Sequence, residues 1–317
     1  MNLETAINTF VSSVCAGKIN ETPSAYRQKL RQLNRYLGAD REIINITHHD
    51  LDNFRIYLLT KDKIIRGHKE IDGHLSPFTI LTTLSTTRYL FRWLYRRGLV
   101  AADLSRTIEL PKKPKPRPKA IESEAAIKML KVASETGPIW ARARNLAIIY
   151  VLRDTGGRVG GLVNALVDDL EMDVGQLMVV EKGDVARTLF LNPHTILSLR
   201  LWLHARQSLE PKDRHLFVGM YGHGLSRGRI YNILRETALK AGIIGRYNPH
   251  SFRHAFARDT LRNGSDLSRL SEMMGHSTSG VTTEYYAVWD QKDLQELHKR
   301  VSPGVTIPLF LPADENA

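Results

Sequence analysis

Apolar residues recur at three- and four-residue intervals over residues 3–14, 23–37 and 50–60, the spacing that gathers them on one face of a helix. A fourth helix is predicted from Leu75-Ser-Pro-Phe-Thr: Ser76 suits the N-cap and Pro77 the first turn, where its missing amide is no loss. That helix should run to about Arg97 and stop at Gly98, with Tyr89, Phe91 and Trp93 mostly in its core. The charged, glycine-bearing stretch Lys61–Gly73 breaks the pattern and reads as a loop. Residues 1–110 are therefore expected to form a small all-helical domain.

Four prolines in residues 111–120, Pro-Lys-Lys-Pro-Lys-Pro-Arg-Pro-Lys-Ala, remove amide donors and fix φ, so this stretch is predicted to be an extended strap marking a domain boundary. Helical spacing resumes at 122–135 and 138–153, and Gly156-Gly157 ends the second run. From Asp169 to Asn192 the period shortens to two. Leu170–Met172, Gln176–Glu181 and Arg187–Leu191 are separated by turns at Asp173-Val-Gly and Lys182-Gly-Asp, which predicts a three-stranded antiparallel sheet. Helices follow at 193–207, 226–242, 249–263, 266–274, 280–288 and 291–301. The expected fold is mainly α with a small antiparallel β-sheet: a helical domain (1–110), a basic linker (111–120), an α+β domain (121–301) and a tail (302–317). The apolar Val305–Leu311 run in the tail would pack either on its own domain or on a neighbouring protomer.

Composition narrows the partner. With 42% hydrophobic and 25% charged residues the chain reads as an ordinary soluble protein, and no run is long enough to span a membrane. The start MNLETAINTF lacks a signal peptide, so a cytoplasmic location is expected. The single cysteine, Cys15, excludes an internal disulfide and a cysteine-based zinc site, and is expected as a small buried hydrophobe in a reducing compartment. Net charge is +12, unevenly spread: residues 1–110 hold 16 basic against 11 acidic residues, 111–120 hold five against none, and 121–317 hold 24 against 22. A basic module joined to a basic strap is the footprint of a polyanion binder, most commonly of nucleic acid. Lys112, Lys113, Lys115, Arg117 and Lys119 are the candidate phosphate contacts of the strap.

The candidate chemistry lies in residues 249–286. Asn248-Pro249-His250 is a helix start, which puts His250 and Arg253 on one face of the first turn beside unpaired amides and the positive end of the helix dipole. His254, four after His250, raises a zinc site, but Ser251 stands where a zinc protease helix would have glutamate and no third ligand is apparent. Gly275 should end a helix so that His276 leaves the turn, and Thr282-Thr-Glu-Tyr-Tyr286 follows. Two histidines, an arginine and a tyrosine suit a reaction at phosphate: the phenolate attacks, and arginine binds the non-bridging oxygens.

In these motifs the chain resembles the tyrosine recombinase (phage-integrase, Xer-like) family, whose pattern is an Arg after a Thr-Gly turn, a β-hairpin Lys, His-x-x-Arg, Gly-His and a tyrosine. Thr155-Gly-Gly-Arg158 supplies the first Arg, Glu181-Lys182-Gly183 the hairpin Lys, and His250, Arg253 and His276 the rest, in family order. The resemblance covers nearly the whole chain. It implies a SAM-like, DNA-clamping core-binding domain ahead of the catalytic domain, and catalysis by Arg158, Lys182, His250, Arg253, His276 and Tyr286. It also implies double-stranded DNA with specific recombination sites as partner, a 3′-phosphotyrosyl intermediate, a Holliday junction and a homotetramer on two DNA sites, nucleoid-associated. No metal, ATP or organic cofactor is implied, because the ester conserves the bond energy. Three departures stand out. Gly161 replaces the acid the family often has three residues after its first Arg, and Glu181 replaces the glycine before the hairpin Lys. The family's usual spacing of nine after Gly-His points to Tyr285, whereas Thr-Thr-x-x-Tyr points to Tyr286, the nucleophile chosen here. The alternatives are a type IB topoisomerase, which shares the chemistry, and a DNA-binding protein with weakened catalysis.

Overall fold

Helix α1 (Leu3–Cys15) buries Leu3, Ala6, Ile7, Phe10, Val11 and Val14, the stripe its spacing predicts, and the Asn2 side chain accepts from the Thr5 amide at its start. The computed structural model describes residues 1–16, 23–66, 69–113, 120–181 and 185–275. It resolves into two compact units, Met1–Lys115 and Pro116–Ala317. Lys115, Arg117, Lys119, Lys182, His276, Tyr285, Tyr286, the expected helices at 280–288 and 291–301, and the tail lie outside the described residues.

The first unit continues with α2 (Pro23–Leu37), α3 (His48–Thr60) and α4 (Pro77–Arg96). Thr47 and Asp50 close α3 reciprocally: the Thr47 amide donates to the Asp50 carboxylate at 2.8 Å and the Asp50 amide to the Thr47 hydroxyl at 3.3 Å. Ser76 caps α4 by accepting from the Thr79 amide at 3.1 Å, with Pro77 in the first turn. Phe10 is fully buried at the centre and meets the edges of Tyr26, Tyr89 and Trp93 at 5.7, 5.2 and 5.7 Å. Phe91 is also buried, while Tyr89 keeps one side in solvent. Cys15, expected to be buried, is half-buried against this core.

The loop expected at Lys61–Gly73 is instead an antiparallel hairpin, β1 (Lys63–Arg66) and β2 (Lys69–Asp72), with Ile64 opposite Ile71 and Lys63 opposite Asp72. Among its described residues the regular elements of the first unit are thus helical apart from this hairpin. Ile71, Lys63 and Asp72 are exposed, so the ribbon buries no full face and carries no apolar alternation for the sequence to reveal.

The second unit is built around α6 (Ile139–Thr155), which packs against α5 (Ser123–Glu135), α8 (Pro193–Arg206) and α10 (Pro249–Arg262). A short α7 (Val159–Asn164) leads to the sheet β3 (Leu170–Glu171), β4 (Gln176–Glu181) and β5 (Val185–Phe190), antiparallel in that order; β5 begins two residues earlier than expected. Helices α9 (Arg227–Lys240) and α11 (Leu267–Met274) complete the described part. The sequence reading missed α7, because six residues with two glycines have weak helix propensity and no full apolar stripe. Leu162, Leu177, Val179, Leu189, Trp202, Phe217 and Phe252 form one core, so sheet, α7, α8 and α10 share a single apolar centre. Among the described residues no helix is long and apolar enough to cross a membrane.

Candidate active site

The turn after α6 carries the first arginine. Gly156 closes the helix at φ 57°, in the left-handed region, and a Cβ there would stand 2.5 Å from Phe256 Cδ1 on α10. Glycine is therefore needed both for the turn and for the close approach of α10. Two residues on, Arg158 occupies the N-cap of α7 with its side chain 36% exposed.

Helix α10 carries His250 and Arg253. The Asn248 side chain accepts from the Ser251 amide at 3.0 Å and Pro249 opens the helix, the start its sequence predicts. Arg253 is 5% exposed. Its Nη1 donates to the Gly156 carbonyl and its Nη2 to the Met274 carbonyl, both at 2.7 Å. Gly156 is the C-cap of α6 and Met274 the last residue of α11, where carbonyls lack partners within the helix and carry its negative end. One buried cation therefore joins two helix ends. It fixes the turn bearing Arg158 to the segment that leads into His276. As expected, Gly275 is left-handed, at φ 61°.

The sheet contributes two groups. Leu177, Val179 and Glu181 alternate inward along β4, and the register sets Arg187 of β5 opposite Val179. Arg187 Nη1 donates to Glu181 Oε1 at 3.1 Å and to the Met274 carbonyl at 2.7 Å. The Glu181 carboxylate also accepts from Arg158 Nη1 and, at 3.4 Å, from the Arg158 amide. Burial pushes the Arg187 guanidinium below its usual value, the neighbouring Glu181 charge opposing the shift and Arg158 adding to it. Sequence reasoning overlooked Arg187 and treated Glu181 only as the neighbour of Lys182. The available signal was a charged residue at an inward position of an alternating strand.

Of the expected site residues, the structure thus brings Arg158 and Arg253 into one network and sets His250 beside them. Lys112 and Lys113 are exposed in the first unit. Among the described residues no three His, Cys, Asp or Glu gather as a metal site. Desolvation, then the charges of Arg253 and Arg158, hold His250 below the ordinary histidine value of 6.5. Desolvation, then His250 and Arg253, do the same to half-buried His254. Both are neutral at pH 7, which leaves His250 able to accept a proton.

The sign of the resulting pH dependence is fixed. A histidine depressed on folding contributes stability that is complete above its unfolded value and is lost as pH falls through the folded one. Scanned from about pH 8 to about pH 5, the Tm should be level above roughly 6.5 and fall below it, less steeply in His250→Asn/His254→Gln. An equal acid slope in that double variant would refute the assignment of both rings as neutral.

Comparison with known proteins gives the family. The phage integrase family model matches residues 119–292, and the phage integrase N-terminal SAM-like domain matches residues 17–98. Tyrosine recombinase XerD of Oceanobacillus iheyensis is 30% identical over 282 residues, covering 84% of this chain and 94% of its own. Tyrosine recombinase XerC of Xanthomonas axonopodis pv. citri is 29% identical over 229 residues, covering 72% of this chain and 73% of its own. The integrase of the Tn1549 transposon, solved in complex with a circular intermediate DNA, shares the fold with a TM-score of 0.72 at 15% identity, covering 95% of this chain and 100% of that one. With its family match spanning more than half the chain and carrying Arg158, His250 and Arg253, the protein belongs to the phage integrase family and is a tyrosine recombinase.

Proposed function

We propose that this recombinase binds double-stranded DNA at specific sites and cleaves and rejoins its strands through a 3′-phosphotyrosyl intermediate. One observation carries the reading: Arg158 and Arg187 share the Glu181 carboxylate, Arg187 and Arg253 share the Met274 carbonyl, and His250 lies on the first turn of α10. Three guanidiniums against one carboxylate leave net positive charge for a phosphodiester.

In this mechanism Tyr286 Oη attacks the scissile phosphorus, the bond to the 5′ oxygen breaks, and a 3′-phosphotyrosyl ester forms. His250 takes the phenolic proton, and Lys182 gives a proton to the departing 5′ oxygen. Arg158 and Arg253 stabilise the non-bridging oxygens, with His276 as a further donor. The 5′-hydroxyl of a second strand then attacks the ester and regenerates the tyrosine. Atoms and energy balance with no cofactor. Repeated on two duplexes by four protomers, the exchange passes through a Holliday junction. The first unit, with 16 basic against 11 acidic residues over positions 1–110, and the strap cations Lys112, Lys113, Lys115, Arg117 and Lys119 serve as the clamp on the phosphate backbone.

The test is covalent trapping. The full chain is incubated with a pool of duplexes that have randomised arms and one nick each. Where the nick lies beside the cleavage point, the short 5′-hydroxyl fragment diffuses away and the ester persists. A detergent-resistant protein–DNA adduct whose DNA converges on one sequence is expected. Convergent binding without any adduct would instead support a DNA-binding protein with lost catalysis. Relaxation of a supercoiled circle carrying that sequence, with no exchange between two such circles, would support topoisomerase action.

A further inference from the structure

We propose that Glu181 positions Arg158 for the phosphate, and that Arg187 secures Glu181 for this task. The inference rests on the recombinase reading and deepens it. The Glu181 side chain is 4% exposed, and its oxygens are shared between two guanidiniums, those of Arg158 and Arg187. A carboxylate withdrawn from water must have its charge paired and its lone pairs used. One guanidinium would neutralise it; the second leaves positive charge at the site. Arg158 is 36% exposed, so without this contact its side chain would have to give up rotamer freedom on meeting a phosphate.

The contacts also close on themselves. Arg158 meets Glu181, Glu181 meets Arg187, and Arg187 donates to the Met274 carbonyl. Arg253 donates to that same carbonyl and to Gly156, two residues before Arg158. Lys182 follows Glu181 directly, and His276 lies two residues beyond Met274. A single carboxylate therefore sits in the loop of contacts that joins Arg158, Arg187 and Arg253, a buried network that tolerates partial rearrangement poorly.

Gly161 completes the argument. Where α7 crosses β4, a Cβ on Gly161 would stand 3.1 Å from Val179 Cβ and 3.5 Å from Glu181 Cγ. The space that a side chain on α7 would enter is taken by Val179 and bordered by Glu181, reaching in from the strand. Gly161 and Glu181, two separate departures in the sequence, are one exchange in space.

The test uses the full chain and the nicked duplex retained from the trapping pool. Glu181→Gln keeps the shape and removes the charge. Its single-turnover cleavage is expected to slow by about tenfold to a hundredfold, the range of a hydrogen bond between charged groups, with DNA affinity unchanged. Glu181→Gly should lose at least as much, and Gly161→Asp/Glu181→Gly should recover most of the loss by supplying the carboxylate from α7. A residue that only stabilised the fold would show its loss in Tm and would not respond to that transfer. Since Val179 must shift slightly to admit the new side chain on α7, Tm is recorded throughout, and Glu181→Gln decides if the double variant does not fold. A DNA-free measurement separates this inference from the recombinase reading. The Arg158 Nη1–H resonance, identified by its loss in Arg158→Lys, should exchange slowly in the wild type and rapidly in Glu181→Gln. Absence of any wild-type adduct would refute the cleavage mechanism and leave the resonance to decide on Glu181. An unchanged resonance, or wild-type cleavage by Glu181→Gln, would overturn the positioning role.

Discussion

Tyr286→Phe should abolish the covalent adduct, while Tyr285→Phe should retain it. Phenylalanine keeps the ring and removes only the attacking oxygen, so folding and DNA binding should persist while the ester cannot form. The expected loss is at least about three orders of magnitude, the scale on which removal of a nucleophile stops covalent catalysis. The choice rests on sequence: Thr282-Thr-Glu-Tyr-Tyr aligns Tyr286 with the family's Thr-Thr-x-x-Tyr, against a count of nine from Gly275-His276 that favours Tyr285. Adduct formation by each variant on the trapped duplex, followed by mass spectrometry of the DNA-linked peptide, reads the position directly. Adduct from Tyr286→Phe and none from Tyr285→Phe would move the nucleophile by one residue.

Arg158→Lys is expected to slow cleavage by about a hundredfold to a thousandfold, the effect of losing one strong donor to a developing oxyanion. Arg158 must meet Glu181 on one side and the phosphate on the other, and a planar guanidinium with five N–H groups can do both. Lysine has a single nitrogen, and the nearby Glu181 carboxylate would claim it. Positive charge is conserved, so DNA affinity at a fixed salt concentration should hardly change. Single-turnover cleavage under saturating protein checks this, and a near-normal rate would remove Arg158 from the phosphate.

Much of the fold was legible in the sequence because its signals are local. Ser76-Pro77 and Asn248-Pro249 start helices where the capping bonds form, and the alternation of Leu177, Val179 and Glu181 gave β4 its bounds. The hairpin at Lys63–Asp72 escaped because it buries no full face, and α7 because its glycines serve close packing, Gly161 on β4 and Gly160 on Arg227 of α9, rather than helix propensity. The family motifs singled out Arg158, His250 and Arg253. No motif could show that Arg253 uses its donors on two helix ends, or that His250 and His254 are held neutral by burial and the arginines around them.

By itself, then, the sequence determined most of the described helices, the three-stranded sheet, the family and the candidate reactive side chains, because caps, periodicity and motif spacing act over a few residues. The tertiary structure alone decided how those side chains are held. Gly156 and Arg253 stand 97 positions apart, Arg187 and Met274 87 apart, and Arg158 and Glu181 23 apart. Such partners meet only after α6, α10 and the sheet have packed on one core and α11 has packed on the other face of α10. There, removal from water makes each buried charge find a partner, and that requirement selects which carboxylate faces which arginine.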